Sequence, residues 1–96
     1  MDSGSKYKLV LFITGGSPNS VRAINNLKNI CEQYLPGNYD LEVIDVYQNP
    51  ELAKEEQIIA LPTLIKKHPD PLRRLVGDMS DKAKVLNGLG ITDFNA

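Results

Sequence analysis

Residues Thr14 to Ser20 read Thr-Gly-Gly-Ser-Pro-Asn-Ser and stand between an apolar run and an amphipathic segment. A turn that leads from a strand into a helix is a common seat of chemistry. A thiol-disulfide exchange protein carries two cysteines there, where the helix N-terminus favours the thiolate. A phosphate-binding loop closes on Gly-Lys-Ser/Thr, so that backbone N–H groups and a lysine cradle the anion. This turn has neither cysteine nor lysine. Gly15-Gly16 ahead of a helix N-terminus could hold an anion, but a plain tight turn is the simpler reading without a lysine.

The other reactive residue types are sparse. Cys31, the one cysteine, lies on the apolar stripe of the following helix, where a buried and inert thiol is expected. His68 has no second histidine and no neighbouring cysteine to complete a metal site, so it reads as a solvated loop residue. Glu51, Glu55 and Glu56 form an acidic helix start and face without an acid-base partner. No catalytic residue, metal site or cofactor is assigned, and the chain reads as a non-enzyme. Lys66, Lys67, Arg73 and Arg74 flank one turn, Pro69-Asp70-Pro71, and could share a face. By charge alone they are a solvated cluster.

The elements that must position these residues follow from period and punctuation. Tyr7 to Ile13 is nearly continuous in apolar, β-prone residues, as in a strand covered on both faces. Ser17 can cap a helix whose first residue, Pro18, already has the required φ. Ile24, Leu27, Cys31 and Leu35, with Val21, Ile30 and Tyr34, recur at helical spacing, and Pro36-Gly37-Asn38 stops the helix. Leu41 to Val46 is a second strand, which with the first makes a βαβ unit. Asn49-Pro50-Glu51 starts a shorter helix, to about Ile58. Thr63 to Lys66 and Arg73 to Val76 are two short strands, and Ser80-Asp81 opens a last helix through about Leu89, weakened by Gly88 and Gly90. Leu61-Pro62-Thr63 places a proline at the start of the third strand, where the plain reading is the start of an edge strand; in a thioredoxin-like fold a proline at that position is cis and lies opposite the Thr14–Ser20 turn. The order βαβαββα, a parallel pair followed by an antiparallel pair with helices on both faces, is an α/β, thioredoxin-like arrangement, in which Pro62 is expected to be cis.

Composition bounds the function. Ninety-six residues, 42% hydrophobic and 24% charged, make one domain over residues 1–96. A formal net charge of -1 gives no global basic field for nucleic acid. The longest apolar run, Leu9 to Ile13, is too short for a membrane span. The first residues are small and polar, expected to fray, with no basic start and no apolar signal core. A cytoplasmic protein is therefore expected.

Over most of its length the chain resembles the KaiB family. The resemblance is carried by Gly16-Ser17-Pro18-Asn19-Ser20-Val21-Arg22-Ala23, Val43-Ile44-Asp45-Val46, Asn49-Pro50-Glu51-Leu52-Ala53, Pro62-Thr63-Leu64 and Arg73-Arg74-Leu75-Val76-Gly77-Asp78, all in register. It implies a regulatory protein that binds a KaiC-like ring ATPase in a circadian clock or a stress-response system. KaiA or a histidine kinase would be further partners where the host has them. It also implies two folds: a ground state, βαββααβ, assembled as a dimer or tetramer, and a monomeric thioredoxin-like state that binds KaiC. On this resemblance Arg22, Lys66, Lys67, Arg73 and Arg74 become candidates for partner binding. Pro62, Pro69, Pro71, Gly88 and Gly90 become candidates for the conformational switch. The chain departs from the family at Pro69-Asp70-Pro71, where members carry three prolines, at the preceding Lys67-His68, at Gly90, where members carry aspartate, and in lacking an acidic tail. A stress-response adaptor independent of KaiC is the alternative, and a thiol-disulfide oxidoreductase on the same scaffold is a further one.

Overall fold

The computed structural model describes residues 6–91. The expectation of a frayed N-terminus and the departure at the C-terminal tail fall on residues outside that range. The elements are β1 (Tyr7–Ile13), α1 (Pro18–Tyr34), β2 (Tyr39–Asp45), α2 (Pro50–Glu55), β3 (Thr63–His68), β4 (Arg73–Val76) and α3 (Lys82–Leu89). The strands form one sheet in the order β2-β1-β3-β4. β1 pairs in parallel with β2 and antiparallel with β3, which pairs antiparallel with β4. This is the expected βαβαββα arrangement, and the β-β-α order of its C-terminal half distinguishes it from βαββααβ.

β1 is the axis of the packing. Alternate side chains of a strand point to opposite faces. Leu9, Leu11 and Ile13 join Leu64 in a large cluster with Ala23, Leu27, Ile30 and Cys31 of α1 and Val85, Leu86 and Leu89 of α3. Phe12 turns the other way, onto Ile44 and Ile65, with Leu52 and Ile58 packed against them. The sheet thus lies between α1 with α3 on one side and α2 on the other.

The stripe of α1 differs slightly from its apolar spacing. Ser20 and Ala23 are buried, whereas Val21 is 46% exposed. Ser20 tolerates burial because its hydroxyl accepts from the Thr14 N–H at 3.1 Å and from the Ser17 hydroxyl at 2.8 Å. Ser17 caps the helix as expected, its Oγ accepting from the Ser20 N–H. Asn49 does not cap α2 through its side chain; its amide instead donates to the Asp45 carbonyl at 3.2 Å.

Three element bounds move, the first being β2, which spans Tyr39–Asp45 rather than Leu41 to Val46. α2 ends at Glu55 rather than near Ile58, since Gln57 adopts φ 57, incompatible with continuing a right-handed helix. β3 runs on through Lys67 and His68, so His68 ends a strand and is half-buried rather than a solvated loop residue. A β-bulge makes this extension: Leu9 pairs with Lys66 but Lys8 pairs with His68, leaving Lys67 as the extra residue.

Candidate functional site

The turn after β1 holds hydroxyls where thiol chemistry would need cysteines. Thr14, Ser17 and Ser20 hydrogen-bond among themselves at the start of α1. Gly15, at φ +51, fits the left-handed turn between them. Thr14 and Ser17, with Pro18, Asn19, Arg22, Leu61 and Pro62, line a cleft of about 480 Å³. The Leu61-Pro62 bond is cis, as expected, and so are His68-Pro69 and Asp70-Pro71. Cys31 lies in the middle of α1, fully buried. Burial, with the charge of Glu32 adding to it, pushes its thiol pKa up to about 12, which keeps it protonated and unreactive near neutrality.

The structure divides the five candidate cations among three settings. In the β3–β4 register Arg74 stands opposite Ile65 and Arg73 opposite Lys66. Since Ile65 belongs to the α2 side and Leu64 to the α1 and α3 side, the four charges around the turn do not share a face.

Lys66 is buried, only 3% exposed, and its ammonium donates to the Pro69 carbonyl at 2.9 Å. Burial, then the nearby charge of Arg73, lowers its pKa from the ordinary lysine value. In this fold its ammonium ties the two sides of the turn together. Arg73 is exposed on β4.

Lys67 and Arg74 converge on a single residue. The Lys67 ammonium lies 2.7 Å from Glu56 Oε2. The Arg74 guanidinium donates to the Glu56 carbonyl at 2.6 Å and lies 3.9 Å from Glu56 Oε1. Both cations remain more than a third exposed. Arg22 belongs to the opposite layer, on α1, where its Nε donates to Asp78 Oδ2 at 3.3 Å and its guanidinium also bonds the Asn19 amide oxygen. Asp78 is held below the ordinary carboxylate pKa, chiefly by hydrogen bonds from Ser80 and then by Arg22. Asn26 adds a bond from its side-chain amide to the Asp78 carbonyl at 2.9 Å. The loop after β4 is thereby fastened to α1.

The glycines singled out from the sequence sit at constrained positions. Gly88 faces β4 so closely that a Cβ there would lie 2.6 Å from Leu75 Cδ1 and 2.9 Å from its Cγ. Gly90 ends α3 in the left-handed conformation at φ 76, the usual glycine cap.

Glu56 and Asp78, the carboxylates that organise these cations, were not assigned such roles from the sequence. Glu56 and Arg74 are 18 residues apart, and Arg22 and Asp78 are 56 apart, so only the tertiary fold brings them together. Glu51, Glu55 and Glu56 show in the sequence as charge, but nothing local signals that Glu56, just past the end of α2, faces Lys67 and Arg74.

Comparison with known proteins agrees with this scaffold. The KaiB domain model matches residues 10–91. A circadian clock oscillator protein KaiB of Microcystis aeruginosa is 53% identical over 85 residues, covering 88% of this chain and 82% of that protein. That of Synechococcus elongatus is 52% identical over 91 residues, covering 95% and 89%. Among solved structures, the N-terminal domain of Synechococcus elongatus SasA superposes with a TM-score of 0.75 at 24% identity, covering 94% of this chain and 89% of that one. The thioredoxin Deadhead of Drosophila melanogaster gives a TM-score of 0.71 at 17% identity, covering 90% and 80%. These likenesses establish the thioredoxin-like fold, and the sequence matches establish that the chain belongs to the KaiB family.

Proposed function

We propose that this chain is a non-enzymatic regulatory adaptor that docks on a KaiC-like ring ATPase, in a clock or stress-response system of the cytoplasm. The observation that carries this reading is the combination of a thioredoxin-like scaffold with a hydroxyl-lined turn. The cleft beside Pro62 is retained, but the thiolate needed for redox turnover has no counterpart there. What the surface offers instead is exposed cations on ordered elements: Arg74 and Lys67 at the end of the hairpin, and Arg22 on α1. Such groups suit an acidic protein surface better than a small molecule. KaiA or a histidine kinase is a further partner where the host encodes one, and a dimer or tetramer is the resting assembly. Pro62, Pro69, Pro71, Gly88 and Gly90 are proposed as the residues through which a change of fold would act.

A pull-down with the cognate KaiC-like ATPase tests the reading. Arg74→Glu is expected to weaken capture by tenfold or more, since juxtaposing like charges at an interface costs on the order of several kcal/mol. Arg22→Glu is expected to act in the same direction if α1 shares the interface. Undiminished capture by both variants would place the interface elsewhere, and no capture of the ATPase by the unaltered protein would remove it as the partner.

A further inference from the structure

Glu56 holds its two cations in unequal ways. Its backbone carbonyl takes a short, 2.6 Å hydrogen bond from Arg74 and so fixes the guanidinium. Its carboxylate pairs closely with Lys67, at 2.7 Å, but reaches Arg74 only at 3.9 Å. The carboxylate can leave by rotating about its own side-chain torsions, while the carbonyl remains where the backbone sets it. Arg74 would then stay in place, already ordered, with Lys67 beside it. Binding a new carboxylate at this pair would forgo much of the usual entropy cost of immobilising a long cationic side chain.

The surroundings favour one kind of occupant. On the α2 side of the sheet Lys67 borders a groove of about 550 Å³ that Lys8, Asp40 and Glu42 also line. Lys8 stands in register with Asp40, so the β2 end of the groove carries its own charge pair, while Lys67 at the other side is the cation that Glu56 holds. A planar guanidinium and a neighbouring ammonium can together hold both oxygens of one carboxylate.

We infer that Glu56 is an internal competitor for the acidic group of a protein partner: its carboxylate occupies Lys67 and Arg74 in the unbound thioredoxin-like state and is displaced by an Asp or Glu side chain of the partner on docking. This rests on the adaptor reading above and adds to it the residue that sets the strength of docking. Release of the internal pair subtracts from affinity, so the charge on Glu56 lowers occupancy of the partner and rejects surfaces without a well-placed carboxylate.

Glu56→Gln keeps the shape and the backbone carbonyl while removing the charge. Affinity for the KaiC-like ATPase is measured for the unaltered protein, Glu56→Gln, Lys67→Gln/Arg74→Gln and the triple variant, with Glu56→Ala as a second replacement and thermal melts to confirm folding. Glu56→Gln is expected to bind about two- to fivefold more tightly, the scale of an exposed ion pair, and the gain is expected to vanish in the triple variant. If Lys67→Gln/Arg74→Gln weakens binding but Glu56→Gln does not strengthen it, the competitor is overturned and the adaptor reading stands. If the double variant binds unchanged, the pair lies outside the interface and the inference falls while the partner remains. If no variant binds the ATPase, the adaptor reading falls, and a hexaglutamate peptide followed by NMR decides the inference. Stronger shifts of the Lys67 and Arg74 amides in Glu56→Gln support it; equal shifts overturn it.

Discussion

The two faces of the sheet are built to different standards. On the side of α1 and α3, thirteen buried residues form one apolar cluster, whereas on the side of α2 the buried apolar cluster among the described residues is Phe12, Ile44 and Ile65. α2 itself is six residues long and none of them is buried. α1 fixes its face with five fully or nearly fully buried side chains, among them Ala23, Leu27 and Cys31 at 0% exposure. The difference separates two tasks. One face supplies most of the apolar burial that offsets chain entropy. The other leaves room for charged groups whose partners are exchangeable, because little stability depends on them.

Truncating the core on each side should expose that asymmetry most clearly. Leu27→Ala removes a side chain with no exposure and no freedom for the site to refill, and is expected to cost about 2–5 kcal/mol. Leu52→Ala on α2 removes one that is only partly buried, and is expected to cost less than half as much. Urea unfolding of the two variants measures the contrast. Equal losses would mean that α2 is as much a part of the core as α1.

A smaller effect tests how α3 is seated on its face. Gly88 stands against Leu75, where an added Cβ would come within 3.0 Å of three Leu75 side-chain atoms. Alanine would gain up to about 1 kcal/mol of helix propensity, set against the cost of moving Leu75. Trimming Leu75 to alanine removes all three contacting atoms and makes room for the new methyl group. A double-mutant cycle on Gly88→Ala and Leu75→Ala should therefore show favourable coupling of about 0.5–3 kcal/mol. Strict additivity would separate α3 from β4.

The same asymmetry explains what the sequence made legible. β1, α1, β4 and α3 emerge at or near their bounds because they are long in period or sharply punctuated, as by Ser17-Pro18 and Asp81. The cis Pro62 follows from its place in the scaffold. The thin face is where local reading fails. β3 continues through Lys67 and His68 because a bulge, fixed by pairing with β1, admits one extra residue, and no local pattern encodes that. The cations around Pro69-Asp70-Pro71 look alike in sequence, yet hairpin register sends Arg73 and Arg74 to opposite faces. Family resemblance supplied the candidate residues, and register decided which of them are presented together.

Adjacent lysines give the finest test of the comparison. Lys66 is 3% exposed and its methylene stem packs inside the protein, with the ammonium bonded to the Pro69 carbonyl. Lys67 is exposed and touches the fold chiefly through Glu56. Replacing Lys66 with alanine loses buried methylenes and leaves the Pro69 carbonyl without its donor, partly offset by relief from desolvating an ammonium. The net loss is expected to be about 1–3 kcal/mol. Lys67→Ala breaks one surface ion pair, and such pairs contribute under about 1 kcal/mol because water and salt screen them. Thermal or urea unfolding at low and high ionic strength separates the two: the Lys66 variant should stay destabilised in both, while any loss in the Lys67 variant should shrink as salt rises. A Lys67 variant as unstable as its neighbour would show that the Glu56 cluster holds the fold together, and that its cations are not free to change partners.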